Sequence, residues 1–409
     1  MIQLYDIFIF FYNLAIHIYS RFNKKAKLWV EGRKDIFKRL EAEIKPGEQI
    51  AWFHCASLGE FEQGRPVIEK FKVQCSTFKV LITFFSPSGY EIRKNYPGAD
   101  YIFYLPIDTK KNAKKFISIV KPCIAVFIKY EFWYHYLDTL HKKQVPTYLI
   151  SAIFRNNQHF FKWYGSLFRK LLKNFTQMFV QDEASQKLLG NIGLTNHSIS
   201  GDTRFDRVYD IAQQAEEIPL IQQFSQGEKL LIAGSTWEID EKLLIKLINM
   251  FDPDLKFIIA PHEIKEENIQ RITSQVKHKT IKFSEANDEN IADARVLVID
   301  NIGMLSNLYQ YGYITYIGGG FGKDIHNILE AAAFGMPVIF GPNYHKFQEA
   351  KDLIQQGGAF SINNYSELKS KVRFLLSNEY LPKIASEISR NYVKSKKGAT
   401  QKILEVIGI

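Results

Sequence analysis

The chain has 409 residues, too many for one ordinary core, so about two domains are expected. Hydrophobic residues make up 46% and charged residues 23%, the balance of a folded soluble body. The net charge of +10 suits an acidic partner: nucleic acid, an anionic membrane surface or a phosphorylated substrate. No RNP motif, zinc finger or arginine-rich arm is present, which sets nucleic acid aside. Cys55, Cys75 and Cys123 form no CxxC and no metal pattern, so they read as reduced thiols of a cytosolic environment.

Residues 1–22 read as a membrane-anchor helix. Ile2 to Tyr19 is apolar on nearly every side, with polar breaks at Asp6, Asn13 and His17. It is short for a span and is followed by Arg21, Lys24, Lys25 and Lys27. Both a marginal span and a helix lying in the interface fit; the competing reading is a buried first helix. Strand-like and helix-like segments then alternate. AWFHCA (51–56), KVLITFFS (79–86), DYIFYLP, CIAVFIKY, TYLISA (147–152), MFVQD (178–182) and HSISGD (197–202) are strands of a first domain, 23–210. A polar, Gln-rich stretch, 211–228, reads as a linker. KLLIAGS (229–235), LKFIIAPH (255–262), RVLVID (295–300), YITYIGGG (313–320) and MPVIFGP (336–342) begin again in a second domain, 229–409. Repeated β–α alternation predicts two mostly parallel sheets, each Rossmann-like, with ligand sites at the C-terminal strand ends.

The strongest local feature is GGGFGKDIHNILEA, Gly318 to Ala331, where a strand ends in three glycines and a helix opens near Asn327. Glycines admit close approach of backbone N–H groups to a phosphate, and a helix N-terminus adds positive charge. Glu330 is placed to reach ribose hydroxyls or to close a capping box with Asn327. Ser235 and Thr236 end another strand as a second phosphate or sugar contact, or as a plain helix cap. Pro261 and His262 close the next strand near a base or phosphate. In the first domain, Glu60 opens a helix after a strand, either as general base toward an acceptor hydroxyl or as a helix-dipole partner. Glu131 follows another strand end among Trp133 and Tyr134, either as an aromatic-lined carboxyl of raised pKa or as a plain solvated carboxylate. Arg204 is a cation suited to a leaving phosphate or to a surface ion pair. Asp252-Pro253-Asp254 spells a DxD but precedes a strand and reads as a turn, so no metal site is expected.

Together these residues resemble the 3-deoxy-D-manno-octulosonic acid (Kdo) transferases of Gram-negative bacteria, over nearly the whole chain. The resemblance rests on the order of SLGE (57–60), SPSGYE (86–91), YLPID (104–108), YEFW (130–133), ISAIF (150–154), GDTRFD (201–206), GST (234–236), HN-x-LE (326–330) and GMPVIFGP (335–342). It implies the GT-B glycosyltransferase fold, two facing Rossmann-like domains with an N-terminal membrane-anchor helix. It further implies CMP-Kdo as donor, a lipid A precursor as acceptor, inversion, no metal and no cofactor beyond the donor, at the cytoplasmic face of the inner membrane. By the same resemblance Glu60 is the base, and Glu131 and Arg204 support the transition state. Pro261, His262, Ile302, Gly303, Met304, Asn327, Ile328, Leu329 and Glu330 match CMP-contacting stretches. Arg204, His262, Met304 and Ile328 stand where the family usually has Lys, Arg, Glu and Pro. A GT-B enzyme using a UDP- or GDP-sugar is the alternative.

Overall fold

The computed structural model describes residues 2–250 and 255–408. Fourteen strands are seen among these residues. The first seven are β1 (Gln49–Cys55), β2 (Phe78–Phe84), β3 (Tyr101–Tyr104), β4 (Pro122–Ile128), β5 (Thr147–Ala152), β6 (Gln177–Val180) and β7 (His197–Ile199). They form one parallel sheet in the order β3-β2-β1-β4-β5-β6-β7. The second set is β8 (Lys229–Thr236), β9 (Leu255–Pro261), β10 (Thr280–Lys282), β11 (Val296–Val298), β12 (Ile314–Ile317), β13 (Val338–Phe340) and β14 (Ala359–Ser361). Its parallel order is β10-β11-β9-β8-β12-β13-β14.

The strands read as continuous apolar runs because both faces of each sheet are covered. In the first sheet, Trp52, Leu81, Ala125, Phe127 and Leu149 face one core cluster. Their chain neighbours Ala51, Phe53, Val80, Ile82, Val126 and Ile150 face the other. That is the period of two expected of a strand, with apolar residues demanded on both sides. Helices such as Leu58–Gln74 and Lys110–Val120 supply the covering layers.

Contacts divide the chain into two compact units, 2–206 with 397–408, and 207–396. The segment expected as a linker, 211–228, therefore holds the end of the helix Thr203–Gln213 and all of the helix Pro219–Ser225, whose Ile221 and Phe224 are buried. The last helix, Ala399–Ile407, returns to the first unit, where Ile403 and Leu404 join its core. Asp206 fixes the return by accepting from the backbone N–H groups of Gly398 and, at 2.7 Å, Thr400.

The N-terminal helix Ile2–Tyr19 is long and apolar enough to cross a membrane by length and composition. One stripe of it is docked on the first unit. Tyr5 donates to Asp108 at 2.5 Å, Asp6 meets His135 Nε2 at 2.6 Å, Ile9 is buried and Tyr12 packs edge-on against Trp29. Leu4, Ile7, Phe8, Phe11, Leu14 and Ile18 remain exposed.

Candidate active site

In both sheets the order reverses beside the first strand, between β1 and β4 and between β8 and β12. Crevices outside the C-terminal ends of such strand pairs are where open α/β sheets bind ligands. Three non-glycine residues with left-handed backbone mark these ends: Lys129 after β4 (φ 69°), Ser151 in β5 (φ 55°) and Ser235 in β8 (φ 53°). A side chain in that region carries a cost of about 1–3 kcal/mol, and such residues cluster at functional sites.

The first unit brings Glu60 and Glu131 to one switch point. Glu60 is in the first turn of Leu58–Gln74, where its Oε2 accepts from the Ser57 backbone N–H at 2.8 Å and from Ser57 Oγ at 3.2 Å. The helix-start reading of Glu60 is thus met, as a capping box with Ser57. Burial and the Glu131 carboxylate push its carboxyl up, while His54 and the Ser57 bonds pull the other way. A carboxylate poised above its ordinary range is a better match to a proton taken near neutral pH.

Glu131 is buried; its Oε2 accepts from Trp133 Nε1 at 2.5 Å and lies 3.0 Å from His54 Nε2. His54 lies on β1 and is fully buried. Its Nδ1 sits 2.8 Å from Thr83 Oγ1, which also accepts from Trp52 Nε1 at 2.8 Å. His54 Nδ1 also lies 3.1 Å from the Thr83 carbonyl oxygen, and Trp133 Nε1 lies 3.1 Å from His54 Nε2, so both ring nitrogens are bonded whichever carries the proton. This chain, Trp52–Thr83–His54–Glu131, was not foreseen from sequence. A histidine inside an apolar strand looks structural, and its partners lie 29 and 77 residues away.

Arg204 follows β7 at the start of the helix Thr203–Gln213. Asp202 Oδ2 accepts from its Nε at 2.8 Å and its Nη2 at 2.7 Å. Thr203 fastens this helix start into the site: its hydroxyl donates to the Gln63 carbonyl and accepts from Ser151 Oγ at 3.0 Å. One buried threonine thus joins the helix of Glu60, strand β5 and the segment of Arg204. Cys55, at the end of β1, is fully buried, and burial beside Glu60 and Glu131 pushes its thiol up, so it is no nucleophile.

In the second unit the Gly-rich segment runs off β12. A Cβ on Gly318 would lie 2.2 Å from the Ser235 carbonyl oxygen, and one on Gly320 would lie 2.6 Å from Gly341 N. Only glycine lets these backbones touch. Asp240 organises the neighbourhood, accepting from Tyr316 Oη at 2.7 Å, Gly319 N at 2.9 Å and Trp237 N at 3.0 Å. Ser235 is half-buried beside this loop. Thr236 is buried, and its hydroxyl donates to Glu241 at 3.1 Å, which in turn binds Arg271 at 2.5 Å. The Thr236 hydroxyl is thus engaged within the protein.

Pro261 ends β9, and the His262 ring stacks on Trp237 at 4.6 Å and His326 at 4.3 Å. Trp237 Nε1 donates to His326 Nε2 at 2.8 Å, and burial beside His262 pushes His326 down to about 4. Ile302 and Gly303 lie in an exposed bend after β11, Ile302 almost wholly in solvent and Gly303 left-handed, and Met304 is half-buried. The helix expected to open near Asn327 begins at Leu329. Asn327 Oδ1 accepts from Leu329 N at 3.1 Å and its Nδ2 donates to Glu330 at 3.0 Å, so a capping arrangement is present. Burial pushes the Glu330 carboxyl up, offset by the Asn327 bond and by Arg207. Ile328 and Leu329 are buried, so their side chains are withdrawn into the protein. The DxD at 252–254 lies outside the described residues.

Two parallel α/β sheets of this order form the GT-B architecture. Similar solved structures are UDP-GlcNAc 2-epimerase from Neisseria meningitidis (TM-score 0.57, 15% identity, 88% of this chain and 99% of that one) and MurG from Acinetobacter baumannii (0.55, 12%, 88% and 99%). At these identities they speak for the fold alone. Residues 31–207 match the family model described as 3-deoxy-D-manno-octulosonic-acid transferase (kdotransferase). The chain is 28% identical to the 3-deoxy-D-manno-octulosonic acid transferase of Aquifex aeolicus, over 84% of this chain and 91% of that protein. It is 23% identical to that of Haemophilus influenzae, over 88% and 87%. Fold and relatives together define a glycosyltransferase of the GT-B class. The first unit carries the match to the Kdo transferase model, and the chain is similar to Kdo transferases over most of its length.

Proposed function

We propose that this chain is a Kdo transferase, moving Kdo from CMP-Kdo to a hydroxyl of a lipid A precursor, with inversion and without metal or further cofactor. The pair Glu60–Glu131 carries the reading: a half-buried carboxylate raised by its burial and by a second, locked carboxylate, within the segment matched to the family. The acceptor oxygen attacks the anomeric carbon, the bond to the CMP phosphate breaks, and the electron pair leaves with the phosphate. Glu60 takes the acceptor proton, and Arg204 balances negative charge as it develops. Glu131, pinned by His54 and Trp133, supports Glu60 electrostatically. The donor lies in the second unit, on the Ser235 turn, the Gly318–Gly320 loop, Pro261–His262 and the Asn327–Glu330 cap.

The enzyme works at the cytoplasmic face of the inner membrane, with its N-terminal helix lying in the interface. A helix docked along Tyr5, Asp6, Ile9 and Tyr12 keeps its free apolar side in one plane. Lys110, Lys111 and Lys114 stand on the helix next to its docking point at Asp108, where they favour anionic headgroups.

Purified full-length protein given CMP-Kdo and a lipid A precursor should yield a Kdo-bearing lipid by mass spectrometry. Stabilisation by UDP or GDP but not CMP would instead support the other donor class.

A further inference from the structure

Lys129 stands at the end of β4, its backbone N–H bonded to the Ile150 carbonyl at 2.9 Å and its φ left-handed. The side chain is half-buried. Among the described residues its ammonium has no ion pair or hydrogen bond; it lies 5.6 Å from the Tyr130 ring centre. Burial lowers its pKa, and Arg204 lowers it further. Arg155, three residues beyond β5, adds a third charge of the same sign, and its guanidinium is exposed without an ion pair among the described residues. The nearby carboxylates are committed elsewhere. Asp202 holds Arg204, Asp182 caps the helix Glu183–Asn191 through Ser185 N at 2.7 Å, and Glu60 is bonded to Ser57. Asp202 and Glu60 pull the other way, but neither bonds the ammonium, which is left half-buried in a disfavoured backbone conformation. An incoming anion would pair with it.

We propose that Lys129, with Arg155 beside it, is an oxyanion-binding subsite for a substrate group: the carboxylate of the sugar acid or a phosphate on the acceptor. The proposal rests on the donor and acceptor reading above. Thr203 and β5 bring these cations to the Glu60 side of the site, so the bound anion fixes the substrate relative to the base.

The test compares wild type with Lys129→Met, and with Lys129→Asn, which tolerates left-handed backbone. Steady-state kinetics are run against CMP-Kdo and against phosphorylated and dephosphorylated acceptor. Loss of one charged hydrogen bond should raise one KM about tenfold or more with kcat nearly kept. A rise for the phosphorylated acceptor alone assigns the phosphate; a rise for the donor assigns the carboxylate. Unchanged KM values for both substrates in both variants, or a loss confined to kcat, would overturn the subsite. Thermal shift by inorganic phosphate reads the subsite without turnover: wild type should respond more than Lys129→Met, and equal responses count against it. Failure of wild type to use CMP-Kdo would refute the donor reading and leave that shift to decide the subsite.

Discussion

Glu60 is asked to be a base while it also closes the first turn of its helix. Glu60→Gln keeps both bonds available to Ser57 and removes the proton acceptor. Turnover should fall by about 10²–10⁴-fold, while CMP still stabilises the protein in thermal shift. The pH profile tests the electrostatics. A base works ionised, and the folded Glu60 carboxyl is raised, so the acid limb of kcat/KM should lie above the ordinary glutamate range. Glu131→Gln removes the like charge and should move that limb to lower pH. His54→Gln removes the opposing influence and should move it to higher pH. Limbs that coincide in all three proteins would show that the pair does not set the base. His326 gives a stability counterpart. Its folded pKa of about 4 lies below the ordinary 6.5, so the unfolded chain binds more protons between these values. Stability should fall as pH drops through that window, and His326→Gln should flatten the decline in chemical denaturation.

At the scale of elements, the Gly-rich segment is a packing solution before it is a ligand site. Gly318→Ala forces a methyl against the Ser235 carbonyl, an overpacking that costs about 1–3 kcal/mol. The melting temperature and CMP affinity should fall together, as measured by calorimetry. The N-terminal helix is tied by Tyr5 and Asp6 to a buried Asp108 and to His135. Asp108 also accepts from the backbone of His135 and Tyr136, so it orders the start of the next helix as well. If the helix lies in the interface, Tyr5→Phe with Asp6→Ala should loosen it from the domain and increase its hydrogen exchange in detergent. Binding to anionic vesicles should persist, because the exposed apolar side is untouched. Unchanged exchange would mean that the docking stripe contributes nothing.

At the scale of the whole molecule, the alternation of strands and helices was legible because buried parallel strands are apolar on both faces. Runs such as IAWFHC and LKFIIAP announce themselves without partners being known. The Gly318–Gly320 turn and the strand-end serine and proline were legible for the same local reason. What escaped was non-local. His54 gains its meaning from Thr83 and Glu131, and Lys129 from Arg204 and a left-handed turn. The return of Ala399–Ile407 to the first unit depends on Asp206, almost two hundred residues earlier. A polar, Gln-rich composition suggested a linker at 211–228, yet Ile221 and Phe224 bury enough apolar surface to hold a helix there. The most direct measurement is mass spectrometry of the lipid after incubation with CMP-Kdo, for wild type and Glu60→Gln. A Kdo-bearing lipid from wild type, strongly diminished for Glu60→Gln, is the predicted result. No product from wild type, or equal product from both, would contradict the account.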